Sequence, residues 1–320
     1  MVSQRIWAGL SLLILAALLG GAVHIACANA QAEPLAGAKL GDRRVFPADN
    51  PWNQDISGIP IDPNSDALIA SIGLKKSLHP DFGTVYNGAP NGIPYVVVPG
   101  TQPLVPIHFD YAAESDPGPY PIPPDALIEG GPTSKGDRHV LVVDRDHWKL
   151  YELFAAHRDG MGWRAGSGAI FDLNSNEERP AGWTSADAAG LPLFPGLVRY
   201  EEVCERKAIT HALRFTIVNS RHAYVDPARH YASSKTSPNL PPMGMRVRLK
   251  ADYDLSGFPP SARVILTALK KYGMIVADNG GDWFVSGAPD PRWNLDELET
   301  LKRVKGSDFE VVKMGEIITH

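Results

Sequence analysis

The chain has 320 residues, with 31 basic against 36 acidic side chains and a formal net charge of −5 at pH 7. No block of basic residues occurs, so the electrostatic footprint of a nucleic-acid binder is missing. Neither Walker nor Rossmann glycine spacing occurs, which argues against a nucleotide ligand.

Met1 to Arg5 carries one positive charge, and Ile6 to Ile25 is almost wholly apolar. Ala28-Asn29-Ala30 then supplies the small-x-small pattern of a signal-peptidase site. The expectation is a signal peptide over 1–30, cleaved after Ala30, and a protein exported to the periplasm or the medium with no membrane contact after cleavage. A retained anchor and lipid attachment at Cys27 are the rival readings. Cleavage removes Arg5 and no acidic residue, and leaves Cys204 as the one cysteine, so no internal disulfide is expected.

Residues 31–44 are Ala-rich and aperiodic, and read as a flexible tether. Residues 45–130 are crowded with proline, glycine and asparagine, which predicts a lobe of short strands and long loops. Within it a helix is expected over Asp66 to Ile72, capped by Asn64 or Ser65 and stopped by Gly73. Ile93 to Val98 and Leu104 to Phe109 read as a hairpin, and Pro117 to Asp125 as an extended strap. Residues 131–320 read as a β-rich core decorated by helices, integrated with the lobe into one domain.

In that core, Arg138 to Val143 and Trp148 to Phe154 form the clearest hairpin, and Arg164 to Leu173 the next strand. Short helices are expected after Thr184 or Ser185 and from Pro195 to Arg206, followed by a strand over Ala208 to Val218. Pro260 or Ser261 opens a helix through Tyr272. Met274 to Asp278 and Trp283 to Ser286 read as a hairpin around Asn279-Gly280-Gly281-Asp282. Asn294 caps a last helix from Leu295 to Val304, and Phe309 to Met314 closes as a strand. The expected fold class is mainly β (α+β), with a β-sandwich or jelly-roll-like core and several short helices.

Centring the first core hairpin on Arg145-Asp146 places His139 opposite Glu152, with Asp137 on the same face. A carboxylate beside an imidazole can tune either group toward neutral pH, as general acid–base chemistry requires. A plain cross-strand ion pair is the bland alternative. His211 heads the apolar face of Leu213 and Phe215, where a core histidine and a cleft-facing base look the same. Arg214 lies on the other face. Thr184, Ser185 and Asp187 are explained by helix capping, whereas Trp183 beside them suits stacking on a sugar ring. His79-Pro80-Asp81, His108-Phe109-Asp110 and the carboxylates Asp110, Glu114 and Asp116 match no zinc or EF-hand spacing. Ser167 lies outside a GxSxG elbow, and Cys204 reads as a core residue.

Asp137-Arg138-His139-Val140-Leu141, Gly168-Ala169-Ile170-Phe171-Asp172-Leu173, Trp183 to Pro192, His211-Ala212-Leu213-Arg214-Phe215 and Tyr272 to Asn279 together resemble a group of exported bacterial proteins. The resemblance spans most of the chain after the leader. It implies export and a single integrated domain, and attaches no activity, cofactor or catalytic residue.

The leading expectation is a secreted carbohydrate-active enzyme that cleaves an extracellular or envelope polysaccharide by hydrolysis or elimination, with no cofactor required. Glu152 or Asp187 would serve as acid or base, His139 and His211 would orient or share protons, and Asp137, Trp183 and Arg214 would contact substrate. One alternative is a non-catalytic carbohydrate-binding or cell-envelope protein. Another is a jelly-roll metalloenzyme with His139, Glu152 and His211 as ligands, which requires those three within metal-bonding distance.

Overall fold

The computed structural model describes residues 40, 41 and 43–319. The expected signal peptide and most of the tether lie outside the described residues. No helix among the described residues is long and apolar enough to cross a membrane.

Sheet predominates over helix. In chain order the strands are β1 (His79–Asp81), β2 (Val85–Tyr86), β3 (Ala89–Pro90), β4 (Tyr95–Val98), β5 (Ile107–Phe109), β6 (Val140–Asp144), β7 (Lys149–Phe154), β8 (His157–Asp159), β9 (Gly162–Ala165), β10 (Ser167–Asp172), β11 (Leu213–Ile217), β12 (Arg246–Leu249), β13 (Met274–Asn279), β14 (Phe284–Ser286) and β15 (Phe309–Val311). The α-helices are α1 (Ser65–Ile72), α2 (Pro260–Lys271) and α3 (Leu295–Glu299). A six-stranded sheet runs β1-β14-β11-β13-β12-β15 and a four-stranded sheet β10-β7-β6-β4, with smaller sheets β5-β9-β8 and β2-β3. β1 and β14, β11 and β13, β4 and β6, and β5 and β9 pair in parallel. These parallel pairs set the topology apart from a jelly roll, which is antiparallel throughout.

The proline-rich stretch supplies β1, β4 and β5 to sheets whose other strands come from later in the chain. β4 and β5 therefore do not form the expected hairpin with each other. Pro99, Pro103 and Pro106 lack the N–H that a continuous ladder needs, and the Pro106 carbonyl instead accepts from Trp163 N. The strap near Pro117 is less superficial than expected, because Tyr120 and Ile122 are buried.

β6 and β7 do form the expected hairpin, in a register two residues away from the simple one: Leu141 faces Glu152 and Val143 faces Leu150. The turn takes four residues, because the Asp144 carboxylate accepts from the N–H groups of Asp146 and His147, and Trp148 adopts φ 54°. Trp148 thus belongs to the turn, where its ring is buried. β6 is buried along its whole length. Leu141 and Val143 join the larger apolar core, while Val140 and Val142 join a second one with Tyr120, Leu153 and Trp163. A strand covered on both faces reads as a continuous apolar run.

β13 and β14 are not a hairpin pair either, since β11 lies between them. The chain from β13 crosses the end of β11 so closely that a Cβ on Gly280 would sit 2.8 Å from Thr216 Oγ1. The glycines there permit this close crossing rather than a tight hairpin turn. The expected helix from Pro195 to Arg206 is a 3-10 turn over Phe194–Gly196 followed by a π-turn over Glu201–Glu205. No helix follows Ser185. Its hydroxyl accepts from Asp187 N and donates to Leu191 O, a local turn that competes with helix formation.

Candidate active site

A cavity of about 410 Å³ opens where five pieces of chain meet. They are the end of β13 with Asp278 and Asn279, the segment 184–188, Asp137 before β6, the turn carrying Tyr111 and Glu114, and His230 with Ala232. Phe154 and Ser167 complete the wall from β7 and β10. This volume lies in the range of small-molecule sites.

Segment 184–187 is fixed one residue at a time by side chains from four different places. Arg179 Nε donates to Thr184 O at 2.9 Å, and Ser167 Oγ donates to Ser185 O at 2.6 Å. His139 Nε2 meets Ala186 O at 3.0 Å. Arg214 Nε and Nη2 then reach the two Asp187 carboxylate oxygens at 3.1 and 3.0 Å. Such support pre-organises a site wall. Arg179 also ties the neighbouring wall, with its guanidinium on Asp116 and on Glu114 O.

Asp187 is fully buried, and Arg214 is nearly so, with its remaining nitrogen on Ser286 Oγ. Burial pushes the Asp187 carboxyl upward and the Arg214 guanidinium opposes that. Asp278 stands close enough to feel both groups. Burial first, then the Asp187 carboxylate, push its carboxyl up to about 7, against Arg214, the Asn279 N–H and His139. A half-buried carboxyl facing a cavity and balanced between its two protonation states at neutral pH suits proton transfer.

A bulge aims Asp278 at this cluster. Phe215 pairs with Val276, but Thr216 pairs with Asp278, so Ala277 is the extra residue in β13. Strict alternation would have put Asp278 on the face opposite Arg214; the bulge returns it to the face of Arg214 and Thr216.

His139 is buried behind this wall. Its Nδ1 lies 2.6 Å from Glu129 Oε2, and both ring nitrogens face acceptors, so the doubly protonated ring is the form that satisfies them. Burial disfavours that charge, yet the Glu129 carboxylate outweighs it and the imidazole is pushed up to about 9. His139 is therefore a cation that holds the wall from behind.

Of the residues singled out in the sequence, Asp137 and Asp187 line the cavity, while His139 and Arg214 support it from behind. Arg214 is bound to Asp187 and Ser286 rather than free for substrate. Glu152 faces inward from β7, where its carboxylate accepts from Leu193 N and Phe194 N at 2.9 to 3.0 Å. Burial pushes it up to about 7, but it serves two backbone donors and does not line the cavity. His211 lines a separate cavity with Arg43, Arg44 and Arg206, and its Nε2 meets Glu202 Oε2 at 3.1 Å. Trp183 packs under the Arg179 guanidinium, 5.6 Å from its ring centre. The metal set of His139, Glu152 and His211 is not assembled, since each meets different partners. No three-residue His, Cys, Asp or Glu group of metal-holding geometry occurs among the described residues.

Two cavity residues escaped the sequence reading. Asp278 was visible as a carboxylate ending a strand before Asn279-Gly280-Gly281, a common place for function in parallel pairs. His230, in irregular chain, carried no pattern. Its Nδ1 donates to Ala188 O at 2.8 Å, which leaves Nε2 without a partner among the described residues.

No protein-family model, curated protein or solved structure matches this chain.

Proposed function

We propose that the protein is an exported glycoside hydrolase acting on a polysaccharide or other glycosidic substrate in this cavity. Asp278 is the general acid that protonates the leaving oxygen. Asp137, exposed at the cavity wall, supplies the carboxyl group that acts at the sugar carbon or activates water, and His230 is placed to relay a proton through Nε2. The fixed Asp187–Arg214 pair sets the field around Asp278. The observation that carries this reading is an Asp278 carboxyl raised to about 7 in the same cavity as a second, exposed carboxylate. Two carboxyls in opposite protonation states are what glycosidic hydrolysis uses.

Hydrolysis is favoured over elimination by charge. Elimination acts on uronates, whose carboxylate needs a neutralising cation, and among the described residues the cavity lining contains carboxyls and no lysine or arginine. The test is a product assay on neutral and acidic polysaccharides that scores new reducing ends and new unsaturated ends. New reducing ends without unsaturation support the proposal. Unsaturated products, or no cleavage by folded protein across a broad panel, contradict it.

A further inference from the structure

The cavity's charges are unevenly matched. Arg214 is engaged by Asp187, and His139 by Glu129. Arg179, behind the Glu114 turn, is engaged by Asp116. Each of these cations already has a carboxylate in an ion pair, so what Arg214 and His139 still exert on Asp278 acts at longer range. Glu114 and Asp137 have no cationic partner among the described residues. Among the described residues, the one hydrogen bond to the Glu114 carboxylate is a long one from Thr184 N at 3.4 Å, and the exposed Asp137 carboxylate has none. The rings of Tyr111 and Phe154 line the same cavity. A cavity lined by both carboxylates and aromatic rings suits ammonium groups, through charge-assisted hydrogen bonds and cation–π attraction.

We infer that the sugar bound in this cavity carries a free amine, so that the preferred substrate is an amino-sugar polymer rather than a neutral, N-acylated or uronate-bearing one. This rests on the glycosidase reading of the same cavity and narrows it. The ammonium group is held by Asp137 and Glu114, and the glycosidic oxygen faces Asp278. Anionic sugars are repelled by the same two carboxylates, and N-acylation removes the charge they recognise.

The test separates ligand charge from catalysis. Binding of β-1,4-linked glucosamine oligomers, of their fully N-acetylated counterparts and of galacturonate oligomers is measured by calorimetry on the Asp278→Asn protein, in which turnover is expected to be slow enough not to interfere. The amine-bearing oligomer is expected to bind at least about tenfold more tightly than the acetylated one, the worth of one charge-assisted hydrogen bond. Asp137→Asn and Glu114→Gln, each added to that background, are expected to remove about that factor for the amine oligomer and to leave the acetylated one unchanged. Rising salt should weaken the amine oligomer selectively. Equal or tighter binding of the acetylated or galacturonate oligomer, or indifference to both substitutions, overturns the inference. Cleavage of neutral polymers by the unsubstituted protein, alongside that result, leaves the hydrolase reading standing while this one falls. Neither binding nor cleavage of any oligomer overturns both.

Discussion

Glu129 Oε2 lies 2.6 Å from His139 Nδ1, and the opposite edge of the same ring meets the Ala186 carbonyl, one residue before Asp187. A buried ion pair thus fixes the cavity wall, with a consequence for stability. His139 is held up at about 9 in the folded chain against an ordinary 6.5. Its contribution is therefore complete below pH 6.5 and is lost as pH rises through about 9. The shift corresponds to something on the order of 3 kcal/mol. Thermal unfolding followed from pH 6 to 10 should show this decline in the parent and little of it in His139→Gln. Glu129→Gln should bring the His139 titration down by several units in NMR, because burial then acts unopposed.

Asp278 predicts the opposite trade. Its carboxyl is held at about 7 in the folded chain against an ordinary 3.8, so the folded state keeps a proton that the unfolded state releases. Parent stability should fall as pH rises from about 4 to 7, and Asp278→Asn should not show that fall. Melting curves at about pH 3.5 and pH 8 would check it. The substituted protein should match the parent at the lower pH and melt higher at the upper one. A residue kept for structure alone would not be expected to improve stability when replaced.

Arg214 carries the counter-charge for a fully buried Asp187. Arg214→Met should cost about 3–5 kcal/mol in urea unfolding, because it strands an unpaired buried carboxylate. The double variant Arg214→Met with Asp187→Leu should recover part of that loss. Failure of the double variant to recover any would mean that the pair is not the reason Arg214 is needed.

Glu152 is expected to be dispensable for chemistry. Its carboxylate accepts from Leu193 N and Phe194 N, so Glu152→Gln keeps an acceptor, whereas Glu152→Ala leaves two donors unmet. The alanine variant should lose about 1–3 kcal/mol of stability. The glutamine variant should retain turnover to within a few-fold, checked on the same polymer that the parent cleaves.

The parts of this protein legible in its sequence are those where periodicity and local caps act together. The β6–β7 pair, α2 with Pro260 at its start, and the Asn294 cap on α3 follow from alternation and end signals. Partner choice was not legible. β4 and β5 look like two arms of one hairpin but join different sheets, and β11 separates β13 from β14, because the rest of the chain decides which strand edges meet. The site shows the same limit. Asp137, Asp187, Arg214 and His139 converge as their polar character suggested, although the capping role expected of Asp187 gives way to the Arg214 pair. Asp278 is aimed by a bulge that simple alternation hides, and His230 comes from a segment without period. Glu152 and His211 lie outside this cavity, and residue type alone could not show that one carboxylate serves backbone donors and the other side chain meets a glutamate.

The most direct test compares cleavage rates of the parent, Asp278→Asn and His211→Gln, each shown to be folded, on the best polymer found. The cavity account predicts a loss of about 10²–10⁴-fold in Asp278→Asn and turnover within a few-fold of the parent in His211→Gln, whose side chain lies in a different cavity. Full activity in Asp278→Asn, or activity lost only in His211→Gln, would contradict it.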